Sequence, residues 1–453
     1  MKKKPYPAYK PSGIEWLGDV PRHWEVWKVA HGFELIGSGT TPPSDENGWY
    51  DGTIPWVTTS ELRENTITAT EKSVTCDAVA TLSALKKFPK GSLAIAMYGA
   101  TIGRLGILGI EATTNQACCV MSGGQVFAVS FVYYWMQAFK RSIILLASGG
   151  GQPNISQDKI KSIKIPCPEI EEQQAINAFL DRETGRIDLL VAKKERLIEL
   201  LREERSALIS RSVTKGLDPS VKLKSSGVDW LGDVPGHWEV RRIAMISNKL
   251  TNGYVGPTRD IFVDEGVRYL QSLHIKGNRI IFDEKYYVTD SWSKEHCKSI
   301  LRTGDVLIVQ TGDIGQTAVV PKEYEGCNCH ALIIVSPKEG IMAGEYLSLY
   351  LNSSIGYHSL KRIQTGALHP HLNCTLVHDI FITVPPFAEQ QTIAIYLDRE
   401  TTKIDSLIAK VEAVIAKLKE YRMALIRAAV TGKIDVREVV HESNLGKSLR
   451  SLH

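Results

Sequence analysis

The chain has 453 residues, of which 43% are apolar and 23% charged, and its formal net charge at pH 7 is +4. This length predicts two to four domains, and the composition is that of an ordinary globular protein. No apolar run approaches the roughly 18 residues of a membrane span, and the start, MKKKPYPAYK, lacks the apolar core of a secretory signal. The mildly basic balance permits a nucleic-acid partner without requiring one.

The eight cysteines follow neither a disulfide framework nor a paired CxxC spacing. We therefore expect reduced, mostly buried thiols and a cytoplasmic location. Cys327, Cys329 and His330 stand close together, but two ligands two residues apart with an adjacent histidine do not form a recognisable zinc site. They also open an apolar run, CHALIIV, that is typical of a strand, so we predict no metal site.

Each half of the chain begins with the same motif. Residues 13–26 read GIEWLGDVPRHWEV and residues 227–240 read GVDWLGDVPGHWEV, with 11 of 14 positions identical. Two tryptophans and a proline in each copy favour a hydrophobic clasp against a neighbouring element over a ligand site. We assign residues 1–26 as an N-terminal clasp segment and 227–240 as its repeat.

The regions that follow the two clasps share little identity but keep the same order of signals. Each has a glycine-rich polar loop, an apolar strand closing on a glycine turn (SLAIAMYGATIG and DVLIVQTGDIG), further short strands and one helix with aromatic residues. Many short strands with Gly and Pro turns plus a helix predict an α+β domain. We place these two similar α/β domains at residues 27–165 and 227–383, where one architecture carries two different surfaces.

A second repeat follows each domain. EQQAINAFLDRETGRID at 172–188 and EQQTIAIYLDRETTKID at 389–405 match at 11 of 17 positions, 217 residues apart. Each copy follows a proline-marked segment and opens a long helical pattern. These patterns define a central spacer helix region at 166–226 and a C-terminal one at 384–440, followed by a tail at 441–453.

Apolar residues recur in both helical patterns at three- and four-residue steps, which predicts a coiled-coil seam. In the second copy the seam comprises Ile404, Leu407, Val411, Val414, Leu418, Tyr421 and Leu425. The same offset gives Ile187, Leu190, Leu197, Leu201 and Leu208 in the first copy, where Lys194 and Glu204 interrupt the seam and Val191, Ile198 and Ile209 widen the stripe sideways. Two similar halves usually pack about a pseudo-twofold axis, so we expect an antiparallel coiled coil. The alternative is that each helix packs only on its own domain.

No catalytic constellation is recognisable in the sequence. The phosphate loop, the GxSxG elbow and the HExxH motif are absent. The nearest approach to an adenine methyltransferase motif is Val384-Pro385-Pro386-Phe387, but valine stands where an Asn or Asp should bind the base. An extended proline segment that enters a helix explains these residues better, so we predict that the chain is not an enzyme.

Polar loops on a rigid scaffold suit DNA recognition, in which cations and hydroxyls bind phosphates and Arg, Lys, Asn and Gln read bases. The candidates in the first domain are Thr58, Thr59, Ser60, Arg63, Arg104, Gln152 and Asn154. The candidates in the second domain are Arg259, Gln271, Ser272, His274, Lys276, Gln316, His369 and His371. For each of them an ordinary surface or turn role is the competing interpretation.

The order of these features resembles the specificity subunits of Type I restriction-modification enzymes. The WLGDVPxHWE openings, the LDRET…ID stretches, the VTKGLD and VTGKID endings and the GATIG and TGDIG turns match over about residues 11–440. The resemblance implies two target recognition domains, each reading one part of a split, asymmetric double-stranded DNA target, with the helices setting the gap. Base-contacting residues vary with the target, so none is carried over.

The resemblance also implies partners. Two methyltransferase subunits would dock on the chain and nuclease/translocase subunits would join them, in defence against foreign DNA. S-adenosylmethionine, ATP and Mg²⁺ would belong to those partners and no cofactor to this chain. Two alternatives remain open: the specificity subunit of a two-subunit system whose partner both methylates and cleaves, and a coiled-coil scaffold that binds only proteins.

Overall fold

The computed structural model describes residues 4–43, 48–148, 153–366 and 370–437. The chain divides into two compact units that are built alike. Unit 1 comprises the described residues up to Lys193 together with those from Ala413 onward, and unit 2 comprises Lys194–Glu412. Each unit mixes sheets and helices, as the sequence predicts.

A five-stranded sheet forms the centre of unit 1, in the order Phe33–Gly37, Cys118–Gly124, Leu93–Ala96, Leu105–Leu108 and Asn65–Ile67. Neighbouring strands in this sheet are antiparallel, except that Asn65–Ile67 runs parallel to Leu105–Leu108. Leu93–Ala96 is buried along its whole length, as expected of a strand covered on both faces. A smaller sheet has the order Thr113–Thr114, Tyr50–Val57 and Lys72–Val74, and its two-residue strand is parallel to Tyr50–Val57.

Unit 2 repeats this plan with four strands in its larger sheet, in the order Ser247–Asn252, Leu332–Pro337, Val306–Val309 and Thr317–Val319. Its three-stranded sheet has the order Tyr287–Val288, Val267–Leu270 and Asn328–Cys329, and Asn328–Cys329 is again parallel to its neighbour. The two-residue parallel strand is therefore a feature of both units.

The remaining elements are short. Paired strands are Tyr9–Pro11 with Asp19–Pro21, Glu25–Lys28 with Lys164–Cys167, Leu223–Ser225 with Asp233–Pro235, Glu239–Arg242 with Phe381–Val384, and Ile275–Lys276 with Arg279–Ile280. Short α-helices are Cys76–Thr81, Val129–Ala138, Lys140–Ile144, Gln157–Ser162, Ile243–Ile246, Asp290–Glu295, Gly344–Asn352, Ser354–Arg362 and Cys374–His378. Turns of 3₁₀-helix are Val29–His31, Gly99–Thr101, Ser272–His274, Cys297–Ser299 and Lys322–Tyr324.

Two long helices dominate the chain. The first spans Ile170–Lys215 over 46 residues and the second spans Phe387–Val430 over 44 residues. Glycines in the left-handed conformation lie just beyond them, Gly216 with φ +74° and Gly432 with φ +67°, and such a residue commonly terminates a helix. Within the described residues, no helix is both long enough and apolar enough to cross a membrane.

Each long helix begins in one unit and ends in the other. Unit 1 therefore contains the start of the first helix and the end of the second, which run antiparallel: Asp188 pairs with Arg422 at 2.9 Å. Unit 2 contains the other two halves, where Arg205 pairs with Asp405 at 2.9 Å. The long helices are thus packed together as predicted, and each unit holds one section of the pair.

The buried stripe departs from the predicted seam at every second contact of the second helix and at Leu190 in the first. Ile187, Leu201, Val411 and Leu425 are buried, and Leu197, Leu208, Ile404 and Leu418 are half-buried. Leu190, Leu407, Val414 and Tyr421 are exposed, at 41, 44, 42 and 52%, and the prediction is wrong at these four positions. Val191, Ile198, Ile209 and Ile415 are buried in the stripe instead.

The error has a physical cause. A heptad pattern repeats every seven residues but allows the intermediate contact at either the third or the fourth residue. Apolar residues stand at both positions in Leu190-Val191 and Val414-Ile415, so the pattern does not discriminate between them. In the folded units the fourth residue is the buried one.

A glutamate joins each clasp to the start of a long helix, and it is buried in unit 1 and partly exposed in unit 2. In unit 1 the Glu172 carboxylate accepts hydrogen bonds from the Tyr6 hydroxyl at 2.6 Å and the Trp24 indole at 3.1 Å, and it lies 2.8 Å from His23 Nε2. In unit 2 Glu389 accepts from the Trp238 indole at 3.1 Å. The tryptophans are fully buried, so these bonds satisfy indole N–H groups that water cannot reach.

The next residue of each copy holds the domain to the helix. Gln173 accepts a hydrogen bond from the Ala128 N–H at 2.8 Å and donates to the Val126 carbonyl at 2.9 Å. In unit 2 Gln390 repeats these contacts with Ala343 and Ile341, both at 2.8 Å. The repeated EQQ stretch is therefore a structural joint.

Candidate nucleic-acid interface

Five loops of unit 1 adjoin one another beyond the ends of its strands. The Asn115 N–H donates to the Val57 carbonyl at 3.0 Å, and the Ile155 N–H donates to the Met97 carbonyl at 3.0 Å. We call these loops, residues 38–43, 57–63, 97–104, 115–117 and 153–155, loop surface 1.

The first of these loops is fixed by side chains from its neighbours. The Gly39 N–H donates to Thr114 Oγ1 at 3.0 Å, and the Trp56 indole donates to the Thr40 carbonyl at 3.1 Å. A Cβ atom on Gly39 would lie 1.8 Å from the Thr114 carbonyl oxygen, so only glycine fits there. The glycine-rich composition of the loop thus permits close backbone approach.

Thr58, Thr59, Ser60 and Arg63 form a turn organised by one carboxylate. Glu61 accepts from the Thr58 N–H at 2.6 Å, and the hydroxyls of Thr58 and Ser60 lie 2.8 Å apart. Arg63 Nε donates to the Ser60 carbonyl at 2.9 Å. Because Nε makes this contact, the guanidinium is held close to the turn.

Arg104 and Asn154 lie on two other loops of the same surface. Arg104 ends the GATIG turn, where its N–H donates to the Thr101 carbonyl at 3.0 Å. Asn154 pairs with Ser148 and bridges to Tyr98 on that turn. The structure therefore brings the two predicted loops together, whereas the predicted Gln152 lies outside the described residues.

Unit 2 has an equivalent surface. The Tyr254 N–H donates to the Cys329 carbonyl at 2.9 Å, and the Leu372 N–H donates to the Gln310 carbonyl at 3.1 Å. We call residues 253–260, 271–274, 310–316, 330–331, 364–366 and 370–372 loop surface 2. Arg259, Gln271, Ser272, Gln316 and His371 lie on it, and His369 lies outside the described residues.

His274 is a structural residue, and its prediction as a DNA contact is wrong. Its side chain is fully buried. Nδ1 accepts a hydrogen bond from the Gln271 N–H at 2.8 Å, and Nε2 lies 2.7 Å from the Glu284 carbonyl, to which it donates. Burial lowers the pKa of His274, so the neutral ring uses both nitrogens within the protein.

Lys276 and Gln316 have surroundings that disfavour a phosphate. Both line a groove of about 930 Å³ within unit 2. Its walls carry five carboxylates, from Asp313, Glu323, Glu345, Asp398 and Asp405, against three cations, from Arg205, Lys276 and Arg279. Because like charges repel, a DNA backbone gains less here than on a neutral or basic surface.

Aromatic rings from Tyr254, Tyr269, Trp292, His296 and His330 form a cluster beside loop surface 2. The sequence prediction considered polar residues in loops and does not include this cluster. The Tyr254 ring contacts Trp292 at 5.0 Å and His296 at 4.8 Å between ring centroids. The His330 ring lies 6.4 Å from Tyr254 and 6.2 Å from Tyr269. The predicted set also lacks Asn115 on loop surface 1 and His330 on loop surface 2. Each is a polar residue that lies between a two-residue strand and the buried strand that follows it, and this position is the signal that could have identified them.

The described residues contain no group of three or more His, Cys, Asp or Glu side chains able to hold a metal ion. Cys327 and Cys329 are buried thiols. Burial raises the pKa of Cys327 to about 11 and raises that of Cys329 further. Both therefore stay protonated at neutral pH, a form that neither attacks as a nucleophile nor binds metal.

Comparison with known proteins identifies this architecture. The family model for the Type I restriction modification DNA specificity domain matches residues 21–199 and 235–417. The specificity subunit of the Type I restriction enzyme MjaIX from Methanocaldococcus jannaschii is 25% identical over 438 residues, which cover 93% of this chain and 96% of that protein.

Two solved structures share the fold. A chain from a structure of the assembly and conformational transition of the type I R-M system has a TM-score of 0.72 at 17% identity and covers 92% of this chain. That match spans 99% of the solved chain. The HsdS subunit from Thermoanaerobacter tengcongensis has a TM-score of 0.52 at 16% identity, over 92% of this chain and 98% of its own.

The two matched segments cover most of the chain, one in each repeat, so the chain belongs to the family of Type I restriction-modification DNA specificity subunits. It is the DNA-specificity component of a Type I restriction-modification complex and is not itself catalytic. The family binds no cofactor.

Proposed function

We propose that each unit reads one half of a bipartite, asymmetric double-stranded DNA target in the cytoplasm, through its own loop surface. One observation carries this proposal: the frame is kept while the loops differ. Glu172 and Glu389 hold equivalent tryptophans, and Gln173 and Gln390 hold equivalent helices. Since the surfaces on this common frame carry different side chains, they should bind different sequences.

In this proposal residues 27–165 and 227–383 are the target recognition domains, and the long helices are the spacers between them. The DNA-contact candidates of the first domain are Thr58, Thr59, Ser60, Arg63, Arg104 and Asn154. Those of the second are Arg259, Gln271, Ser272 and His371, with Lys276 and Gln316 ranked below them because of the acidic groove.

The test is to co-express the chain with its methyltransferase partner and to map methylated adenines genome-wide. We expect two unlike half-sequences separated by a gap of fixed length. Exchange of residues 27–165 for the corresponding domain of another specificity subunit should alter one half only. A palindromic motif, or a change in both halves after the exchange, would contradict the proposal.

We further propose that methyltransferase subunits dock on the long helices. The helices expose apolar side chains in each unit: Leu189, Leu190, Val414 and Tyr421 in unit 1, and Leu200, Ile395 and Leu407 in unit 2. Exposed apolar surface of this kind suits a protein interface. Nuclease/translocase subunits would then join this core and supply the ATP-dependent steps.

The repeat supplies matched variants for this second proposal, because Leu190 and Leu407 are equivalent positions on different units. Leu190→Lys and Leu407→Lys should each remove about one bound methyltransferase subunit, as counted by native mass spectrometry. Ser406→Lys, an exposed neighbour of Leu407, is the control. Full occupancy in both leucine variants would argue that the partner binds elsewhere.

A further inference from the structure

Asn115 and His330 occupy the same place in the two units, although they differ in residue type. Each follows a two-residue strand that runs parallel to the strand entering the loop surface. The Asn115 N–H donates to the Val57 carbonyl at 3.0 Å, and the His330 N–H donates to the Leu270 carbonyl at 2.8 Å. The hydrogen-bond register therefore makes them equivalent.

The Asn115 side chain holds hydrogen-bonding capacity that the described protein does not use, and the His330 ring makes only a long side-chain contact. Asn115 Oδ1 is buried without a partner, although the residue as a whole is partly exposed. The His330 ring approaches the Tyr269 hydroxyl with Nδ1 at 3.5 Å, a long contact, and it also lies against the Tyr254 backbone. Burial lowers the pKa of His330, so at neutral pH the ring offers one donor and one acceptor.

The residues that follow are held by the first loop of each surface. Ala331 adopts φ +47°, which is unusual for a residue other than glycine, and its N–H donates to the Tyr254 carbonyl at 2.9 Å. In unit 1 the Gln116 side chain accepts from the Thr41 hydroxyl at 2.5 Å. A backbone held in a rare conformation is typical of functional positions, and it keeps the preceding side chain in place.

We propose that Asn115 and His330 are specificity-determining residues, each hydrogen-bonding a base edge in the half-sequence read by its own unit. The inference rests on the proposed function, since it requires that each loop surface contacts DNA bases. An asparagine amide matches the paired acceptor and donor of adenine in the major groove. A neutral imidazole can bind a base as donor or acceptor, so the two halves would differ at this position.

The test uses the full chain in complex with its methyltransferase partner. Methylation rates are measured for wild type, Asn115→Ala and His330→Ala on duplexes that carry each base at every position of the target. Each variant should relax discrimination at one position of one half, by roughly 5- to 150-fold, the range of a good base contact. The other half should be unchanged, so each variant is the control for the other.

Salt dependence separates base contacts from phosphate contacts. Loss of a base contact leaves the slope of affinity against salt concentration unchanged, whereas loss of a phosphate contact reduces the slope and weakens all sequences alike. Uniform weakening with a reduced slope would overturn the assignment. So would unchanged discrimination at every position.

Two further results keep this inference apart from the proposed function. Absence of any sequence-specific methylation by the wild-type complex would sink the proposed function, whereas a specific wild-type motif that survives both substitutions would sink this inference alone. If an alanine variant fails to fold, Asn115→Asp and His330→Gln preserve side-chain size while changing the donor–acceptor pattern. Unaltered base preference in those variants would also overturn it.

Discussion

The guanidinium of Arg422 donates to both carboxylate oxygens of Asp188, at 2.9 and 3.3 Å. In unit 2 Arg205 binds Asp405 in the same manner, at 2.9 and 3.5 Å. The two aspartates are separated by the repeat offset of 217 residues, and so are the two arginines. Each unit thus takes its aspartate from the helix that begins there and its arginine from the helix that ends there, an exchange that requires antiparallel packing.

A double-mutant cycle on Asp188 and Arg422 should give a coupling free energy of about 0.5–1 kcal/mol in urea unfolding, near the upper end for surface pairs. The geometry is bidentate, and Arg422 is only 24% exposed, so less solvent screening is expected. The exposed pair Arg196 and Glu199 within one helix is the control and should couple more weakly. Equal coupling in the two cycles would contradict the importance of the contact between helices.

Ile415→Ala should destabilise the protein by about 2–4 kcal/mol, the usual cost of removing a buried isoleucine side chain. Val414→Ala should change the unfolding free energy much less, because Val414 is exposed and its neighbour Ile415 is buried. Thermal and urea unfolding of the two variants compare adjacent residues of one helix. A larger loss of unfolding free energy in Val414→Ala than in Ile415→Ala would support the seam predicted from the sequence.

Glu172→Gln should destabilise unit 1 by about 1.5–3 kcal/mol, because a carboxylate that accepts from three donors is replaced by an amide. Glu389→Gln should have a smaller effect in unit 2, since Glu389 is more exposed (30%, against 8% for Glu172) and, within the described part of the chain, bonds to His237 and Trp238 without a counterpart of Tyr6. The fluorescence of the buried tryptophans during unfolding reports the difference. Equal losses would show that the Tyr6 contact adds nothing.

Acidification should weaken the segment around His274. Burial lowers the pKa of this histidine in the folded protein, so the unfolded chain binds the proton more readily. The stability from the neutral ring is therefore complete above the unfolded pKa of about 6.5 and is lost as the pH falls below it.

Hydrogen exchange checks this effect. After correction for intrinsic rates, protection of amides in residues 270–284 should fall between pH 7.5 and pH 5.5. His274→Gln should abolish much of that pH dependence, while its protection at pH 7.5 is already reduced because the contacts to Gln271 and Glu284 change. Protection that does not vary with pH in wild type would rule the effect out.

The repeats allow most of the fold to be predicted from sequence. Repeated stretches mark the clasps and the helix starts, and an apolar run before a glycine turn predicts Leu93–Ala96 and Val306–Val309. The seam was predictable only in part, because Leu190-Val191 and Val414-Ile415 offer two apolar residues at one contact. Burial of the second residue depends on which elements pack against the helix, and those elements are distant in sequence.

The loop surfaces were harder to predict for a different reason. Residue type selected His274, but its two ring nitrogens are occupied by backbone groups that lie three and ten residues away. Asn115 and His330 differ in type and share only a place in the hydrogen-bond register. Such equivalence depends on which strands are adjacent, and a list of polar residues does not contain that information.

Residues from the two ends of the described chain lie side by side in unit 1. The Asp435 N–H donates to the Lys4 carbonyl at 2.8 Å, and the Tyr9 hydroxyl donates to the Gly432 carbonyl at 2.9 Å. Unit 2 is one continuous segment, whereas unit 1 combines the segment that ends at Lys193 with the segment that begins at Ala413. During synthesis on the ribosome, unit 2 therefore has all its residues before unit 1 does. The unit that contains the recognition domain translated first is therefore completed only when the end of the second long helix has been made.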